Sequence, residues 1–158
     1  MLIEKSAGII FFRAEPKNPH RLYLIIRSSR IGFFGDDNFK NKKEFWDFPK
    51  GLLEEKEKGI DAATREAYEE TGIHDFKIAE GFKETVKYFT KRDGKTALKF
   101  VAMFLAEVKS GEVKLSWEHD KYEWLTFQEA YDKISRVEMK KALENAENFL
   151  NREYLNNF

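Results

Sequence analysis

The sequence predicts an α/β protein, an α/β/α sandwich built around a mixed β-sheet. Two observations predict the layers. Short apolar runs of strand length recur as far as Thr126, and three stretches carry the spacing of helices that bury one face, one mid-chain and two at the end. A third observation sets the scale. A chain of 158 residues fits one domain, spanning residues 1–158, whose core needs no covalent staples.

Residues 6–12 are a short run rich in Ile and Phe and read as a buried strand. Pro16, Asn18 and Pro19 break it. Residues 21–27 form a second strand, with Leu22, Leu24 and Ile26 on one face and Tyr23 and Ile25 on the other, so both faces should be covered. Residues 28–45 are rich in Gly, Asp, Asn and Lys and read as a long loop, a length that usually marks function or disorder. Residues 46–49 are a short apolar stretch and residues 50–59 a polar loop. Residues 60–71 are helical, with Ala62, Ala63 and Ala67 as good formers, Asp61 suited to the N-terminal dipole and Gly72 as the C′ stop. Residues 82–90 and 96–108 read as strands joined through Arg92, Asp93 and Gly94 in a hairpin, and residues 121–126 as a last strand. Residues 127–134 and 137–151 read as helices, with Met139, Leu143, Ala146 and Leu150 at helical spacing in the second; residues 151–158 are expected to fray.

Composition narrows the function classes. The 28 basic and 28 acidic residues cancel, unlike the basic footprint of a dedicated duplex-DNA binder. With no Cys, a disulfide framework, a thiolate metal site and a cysteine nucleophile are excluded. The apolar runs are strand-sized, so no membrane span is expected, and the run at 7–12 behind Glu4 and Lys5 is shorter than most signal peptides. These features read as a soluble, cytoplasmic protein. The 15 Phe, 6 Tyr and 3 Trp suit a thick core or a base-stacking site.

The chemistry is concentrated between Gly51 and Ile73. Glu66, Glu69 and Glu70 stand at i, i+3 and i+4 of the expected helix and share one face. Like charges at that spacing repel, and a hard divalent cation that prefers oxygen ligands turns the repulsion into binding. Arg65 needs a carboxylate partner of its own, and Glu57 in the preceding loop is a candidate. Gly51, Glu57, Arg65, Glu66, Ala67, Glu69, Glu70, Gly72 and Ile73 resemble the Nudix box position by position: Gly, five residues, Glu, seven residues, Arg-Glu, an aliphatic residue, any residue, Glu-Glu, any residue, Gly and an aliphatic residue. The competing reading is a charge-rich surface helix.

The resemblance implies a Nudix-type sandwich and a hydrolase acting on a nucleoside diphosphate linked to a further moiety. It implies that Glu66, Glu69 and Glu70, with the carbonyl of Lys50, ligate Mg²⁺ or Mn²⁺, and that Arg65 and Glu57 hold the loop against the helix. Three flanks resemble the asymmetric diadenosine tetraphosphate hydrolases within that family: residues 46–51, residues 80–83 with Tyr88, and residues 115–125. On that resemblance Tyr88 stacks on an adenine, Phe149 supplies the other half of an aromatic clamp, and Tyr122 is a further contact. Glu118 is the late carboxylate that binds metal or helps deprotonate water. Lys50, Lys83, Lys87 and Lys99 meet the polyphosphate. His119, next to Glu118, is a candidate phosphate contact. Each has a plainer alternative: Tyr88 and Phe149 as packed aromatics, Glu118 as a surface acid, the lysines as solvated side chains, and His119 as a structural histidine. The basic stretch at 40–43 leaves open a relative that removes pyrophosphate from an RNA 5′ end, and a regulatory Nudix module that binds a nucleotide without turnover is a third reading. The resemblance leaves the metal count, the general base and the oligomeric state open.

Overall fold

Strand β1 (Leu2–Glu15) is the spine of a mixed sheet. The computed structural model describes residues 1–15, 18–29, 44–109 and 111–156. On one side β1 runs parallel to β7 (Lys95–Val108), from Leu2 opposite Ala97 to Phe12 opposite Glu107. On its other side it is shared. Near its C-terminal end it pairs antiparallel with β2 (Asn18–Ser28). Further back, Ser6, Ala7 and Gly8 pair with Leu52, Gly51 and Lys50. That second partner, β4 (Lys50–Leu52), corrects the polar loop expected at 50–59. Its side chains carry no strand signal; it forms because the free edge of β1 supplies the ladder. Gly8 admits the approach, since a Cβ there would lie 2.4 Å from the Pro49 carbonyl oxygen.

Beyond β2 lie β3 (Trp46–Asp47) and β8 (His119–Leu125), both antiparallel to it. Beyond β7 lie β5 (Phe76–Ile78) and β6 (Glu84–Arg92), the latter forming the expected hairpin with β7 around Asp93 and Gly94. Three-residue β5 was not anticipated, being too short to display a period. Helix α1 (Gly59–Thr71) covers one face of the sheet. Helices α2 (Phe127–Lys133) and α3 (Val137–Asn156) cover the other. Helix α3 runs past the end expected at residue 151, to Asn156.

Strand alternation decides which side chains meet which helix. Ala7, Ile9 and Phe11 of β1 face α1 with Leu24 and Ile26, and the small Ala62, Ala63 and Ala67 let that helix sit close. Ile10 and Phe12 face α3 with Tyr23, Ile25, Val101, Met103 and Leu105, against Met139, Leu143, Ala146 and Leu150. Both faces of the second strand are covered, as its sequence requires. Most of the expected 28–45 loop lies outside the described residues. Among the described residues no helix is long and apolar enough to cross a membrane.

Candidate functional site

The two ends of α1 are fixed by different means. At its N-terminal end Lys58 offers no side-chain cap, and the preceding loop is held instead by Arg65. Its guanidinium grips Glu57 with two hydrogen bonds of 2.9 Å, and also donates to the Leu52 carbonyl at 3.0 Å and to Glu66 at 2.8 Å. This planar, bidentate pairing is the strong form of an ion pair. Hydrogen bonding from Arg65 drops the Glu57 carboxyl to about 2, and the same bonds hold the Arg65 pKa above its ordinary value. The close packing explains Gly51: a Cβ there would fall 2.1 Å from the Glu66 carboxyl carbon.

At the other end Gly72 adopts φ 74°, a left-handed cap whose N–H donates to the Tyr68 carbonyl. The last carbonyls of α1 are satisfied from elsewhere in the chain. Lys114 N–H donates to the Thr71 carbonyl at 2.8 Å and Ser116 N–H to the Glu70 carbonyl at 3.2 Å. This pins the segment ahead of β8 to the helix and carries Glu118 and His119 to Glu70. One ligand atom from each of these three lies within 4.8 Å of the others, and the His119 ring nitrogen Nε2 is 3.5 Å from Glu70. Glu70 also accepts the Lys50 backbone N–H at 2.8 Å.

Charge at this end is under tension. Burial pushes the Glu70 carboxyl well above the usual carboxylate range, against the pull of the Lys50 amide and ammonium, and repulsion from Glu66 and Glu118 adds to the rise. Burial also raises Glu66, with Arg65 opposing it. His119 is pushed down to about 4, again by burial, so its ring is neutral at pH 7. Clustered carboxylates with a neutral imidazole are hard oxygen donors plus a nitrogen donor, and a divalent cation would relieve the repulsion among them. The donor set therefore fits the implied metal.

The family model described as NUDIX domain matches residues 3–146. The chain belongs to the Nudix family. It is 38% identical over 154 residues to the asymmetrical bis(5′-nucleosyl)-tetraphosphatase of Mus musculus, an alignment covering 92% of this chain and 95% of that protein. The C. elegans Ap4A hydrolase in a binary complex has the same fold, with a TM-score of 0.76 and 27% identity over 93% of this chain and 97% of that one. A shorter likeness, 35% over 80 residues, joins it to the mRNA-decapping protein g5R of African swine fever virus, covering 48% of this chain and 31% of that protein. Nudix hydrolases generally require a divalent metal.

Within this Nudix domain the residues singled out from sequence fall into three groups. Glu70 and Glu118 come together with His119, while Glu66, one turn back on α1, is held by Arg65 at 2.8 Å; Glu57 and Arg65 brace the loop; Glu69 stays half-exposed at the edge, 3.3 Å from Arg65. Lys50 joins the two sides of the sheet. Its amide meets Glu70, while its ammonium lies 3.3 Å from Asp47. Burial opposes that ammonium's charge, but Tyr88, Asp47 and Glu70 outweigh it and hold its pKa above the ordinary value. Lys83 is exposed, 6.0 Å from the Phe104 ring, and Tyr122 is exposed on β8. Tyr88 and Phe149, expected as a clamp, each pack on a different partner. Phe149 packs edge-on against Phe82 at 5.6 Å, and the Tyr88 ring lies beneath the guanidinium of Arg136 at 4.0 Å.

His119, which the sequence offers as a phosphate contact or a structural histidine, stands instead with Glu70 and Glu118 as a nitrogen donor. The stacking of Arg136 on Tyr88 has no sequence signal, because only the packing of the α2–α3 link against β6 places it.

Proposed function

We propose that this Nudix hydrolase cleaves diadenosine tetraphosphate asymmetrically, to ATP and AMP, with Mg²⁺ or Mn²⁺ as cofactor. The observation that carries the reading is the meeting of Glu70, Glu118 and His119 at one end of an intact box, in a chain aligned almost end to end with an asymmetrical tetraphosphatase. The whole chain acts as one unit. Glu66, Glu70 and Glu118, with the Lys50 carbonyl and the neutral His119 ring beside them, would hold the cation, and Glu69 would contribute from the solvent edge. Bound there, a divalent cation polarises the phosphoryl oxygens and lowers the pKa of a nearby water.

The chain's own groups do the rest. Arg65 and Glu57 keep the loop, and with it the Lys50 carbonyl and Gly51, fixed against α1. Glu118 takes the proton of the attacking water as its oxygen bonds to phosphorus and the bond to the leaving phosphate oxygen breaks in line. The ammonium groups of Lys50 and Lys83 neutralise polyphosphate charge, and Tyr88, Tyr122 and Phe149 shape the nucleoside end. The likeness to a decapping protein supports a second reading, hydrolysis at an RNA 5′ end.

Chromatography of products after incubation with diadenosine tetraphosphate and Mg²⁺ decides between them. Equal ATP and AMP are expected. Two ADP would overturn the bond assignment. No turnover alongside hydrolysis of 5′-triphosphate RNA would overturn the substrate.

A further inference from the structure

Helix α1 leaves part of its own sheet face uncovered. It begins at Gly59, where an added Cβ would lie 3.7 Å from the Phe104 ring and 3.8 Å from Ala102. Two rows of side chains on the same face lie beyond it, toward the start of β1 and β7. Strand pairing sets Ile3, Leu98 and Phe89 side by side in one row, and Lys5, Phe100 and Lys87 in the next. Ile3 is 59% exposed and Phe89 57%. Lys5 and Lys87 are exposed too, and Leu98 and Phe100 are half-buried. Neither row carries an acidic side chain, although the chain has 28 acidic residues to its 28 basic ones. A contiguous apolar strip left open to solvent marks an interaction surface, and here its charge has one sign.

We infer that this face is a platform for single-stranded RNA, with bases stacked on Phe89 and Phe100 and backbone phosphates met by Lys5 and Lys87. Charge and ring chemistry choose the occupant. A second copy docked by the same face would set lysine against lysine across a two-fold axis. A nucleic-acid strand brings both complements, phosphates for the ammonium groups and flat π faces for the rings. The two rings stand on neighbouring strands one diagonal step apart, roughly 7–8 Å, so each can take its own base. A single strand fits because its bases can be splayed out, whereas those of a duplex are already stacked on one another. The face is also continuous with the site. Ala7 pairs with Gly51, where Glu66 packs, and Lys5 lies two residues along β1 on the same face, about 7 Å away. A strand whose 5′ phosphates reach the box therefore brings its following nucleotides to the platform. The inference rests on the reading that a nucleotide binds this domain, and not on which phosphoanhydride is cut.

The test separates ring from charge. The probe is a fluorescein-labelled oligouridylate of about ten nucleotides with a 5′ hydroxyl, a length that suits a small single-strand site. Its binding to the full chain is followed by fluorescence anisotropy from about 50 to 200 mM salt. The wild type should bind the single strand and prefer it to an RNA duplex of the same length. F89A should weaken binding about fivefold or more, as the loss of one stacked base predicts. K5Q should flatten the slope of log affinity against log salt by about 0.7, the share of one phosphate contact. Both side chains are exposed, so both variants should melt with the wild type and cleave diadenosine tetraphosphate at its rate. Should F89A melt early, F89L, which keeps apolar bulk without the ring, replaces it with the same expectation. The platform is overturned by a Phe89 variant that binds as tightly as the wild type, by a K5Q slope equal to the wild-type slope, or by equal affinity for the duplex. It is also overturned if the single strand is not bound. The face then belongs to a membrane if F89A abolishes adherence to vesicles of phosphatidylserine and phosphatidylcholine, or to a second copy if F89A abolishes a dimer. RNA binding that F89A weakens, without turnover of diadenosine tetraphosphate by the wild type, sinks the proposed reaction and leaves the platform standing.

Discussion

Glu57 and Glu70 belong to one motif, and the fold treats them in opposite ways. Glu57 lies in the loop before α1, held on both oxygens by Arg65, and its carboxyl is acidified to about 2. Glu70 lies at the far end of the same helix, buried beside Glu118 and a neutral His119, and its carboxyl is raised. At Glu57 the pairing stabilises the charged form and braces the loop. At Glu70 the charged form is strained until something positive joins it. A satisfied carboxylate holds shape; an unsatisfied buried one marks where chemistry is prepared.

The largest effect should come from breaking the strained end. Glu70→Gln keeps an oxygen for the Lys50 amide but removes a charged donor, so turnover should fall by several kcal/mol of barrier, on the order of 10²–10⁴-fold. The stability of the metal-free protein should move the other way. A raised carboxyl pKa means that the folded state holds its proton more tightly, so stability is greatest below the ordinary carboxylate range and declines as pH rises through it. Gln does not titrate. Urea unfolding of the variant without metal should therefore lose that decline between pH 4.5 and 7; an unchanged slope together with wild-type turnover would remove Glu70 from the site.

The same contrast shows what could be read from the chain. The box residues were legible because helical spacing alone brings Glu66, Glu69 and Glu70 onto one side of α1, and Gly72 announces where the helix stops. The Arg65–Glu57 pairing was legible for a similar reason, since the partners stand only eight positions apart. The sheet order, β4 and the closure of Arg136 over Tyr88 were not, because each depends on a partner far away in sequence. Lys50–Leu52 becomes a strand only when β1 offers an edge, and Glu118 and His119 reach Glu70 only through backbone bonds that cap α1. Spacing reports neighbours on one element; it does not report which elements meet.

The braced end should respond in stability, with an opposite dependence on pH. A depressed carboxyl pKa contributes stability that is fully present above the unfolded value near 4.5 and is lost as pH falls toward about 2. Glu57→Gln should therefore lower the urea midpoint at pH 7, and the gap to the wild type should narrow by pH 3.5. A gap independent of pH would mean that Arg65 holds the loop through Leu52 and Glu66 without help from the Glu57 charge.

Glu69 offers the finest discrimination, because it shares the helix face with Glu66 and Glu70 and yet stands half in solvent. Its side chain is 53% exposed, and its partner is Arg65 at 3.3 Å. An exposed carboxylate costs little to desolvate and is readily replaced by water, so Glu69→Gln should slow turnover by only about tenfold, where Glu70→Gln costs far more. Steady-state rates of the two variants at saturating Mg²⁺ make the comparison directly. Equal losses would show that burial does not grade these carboxylates and that the cation sits further out along α1 than Glu70 and Glu118 place it.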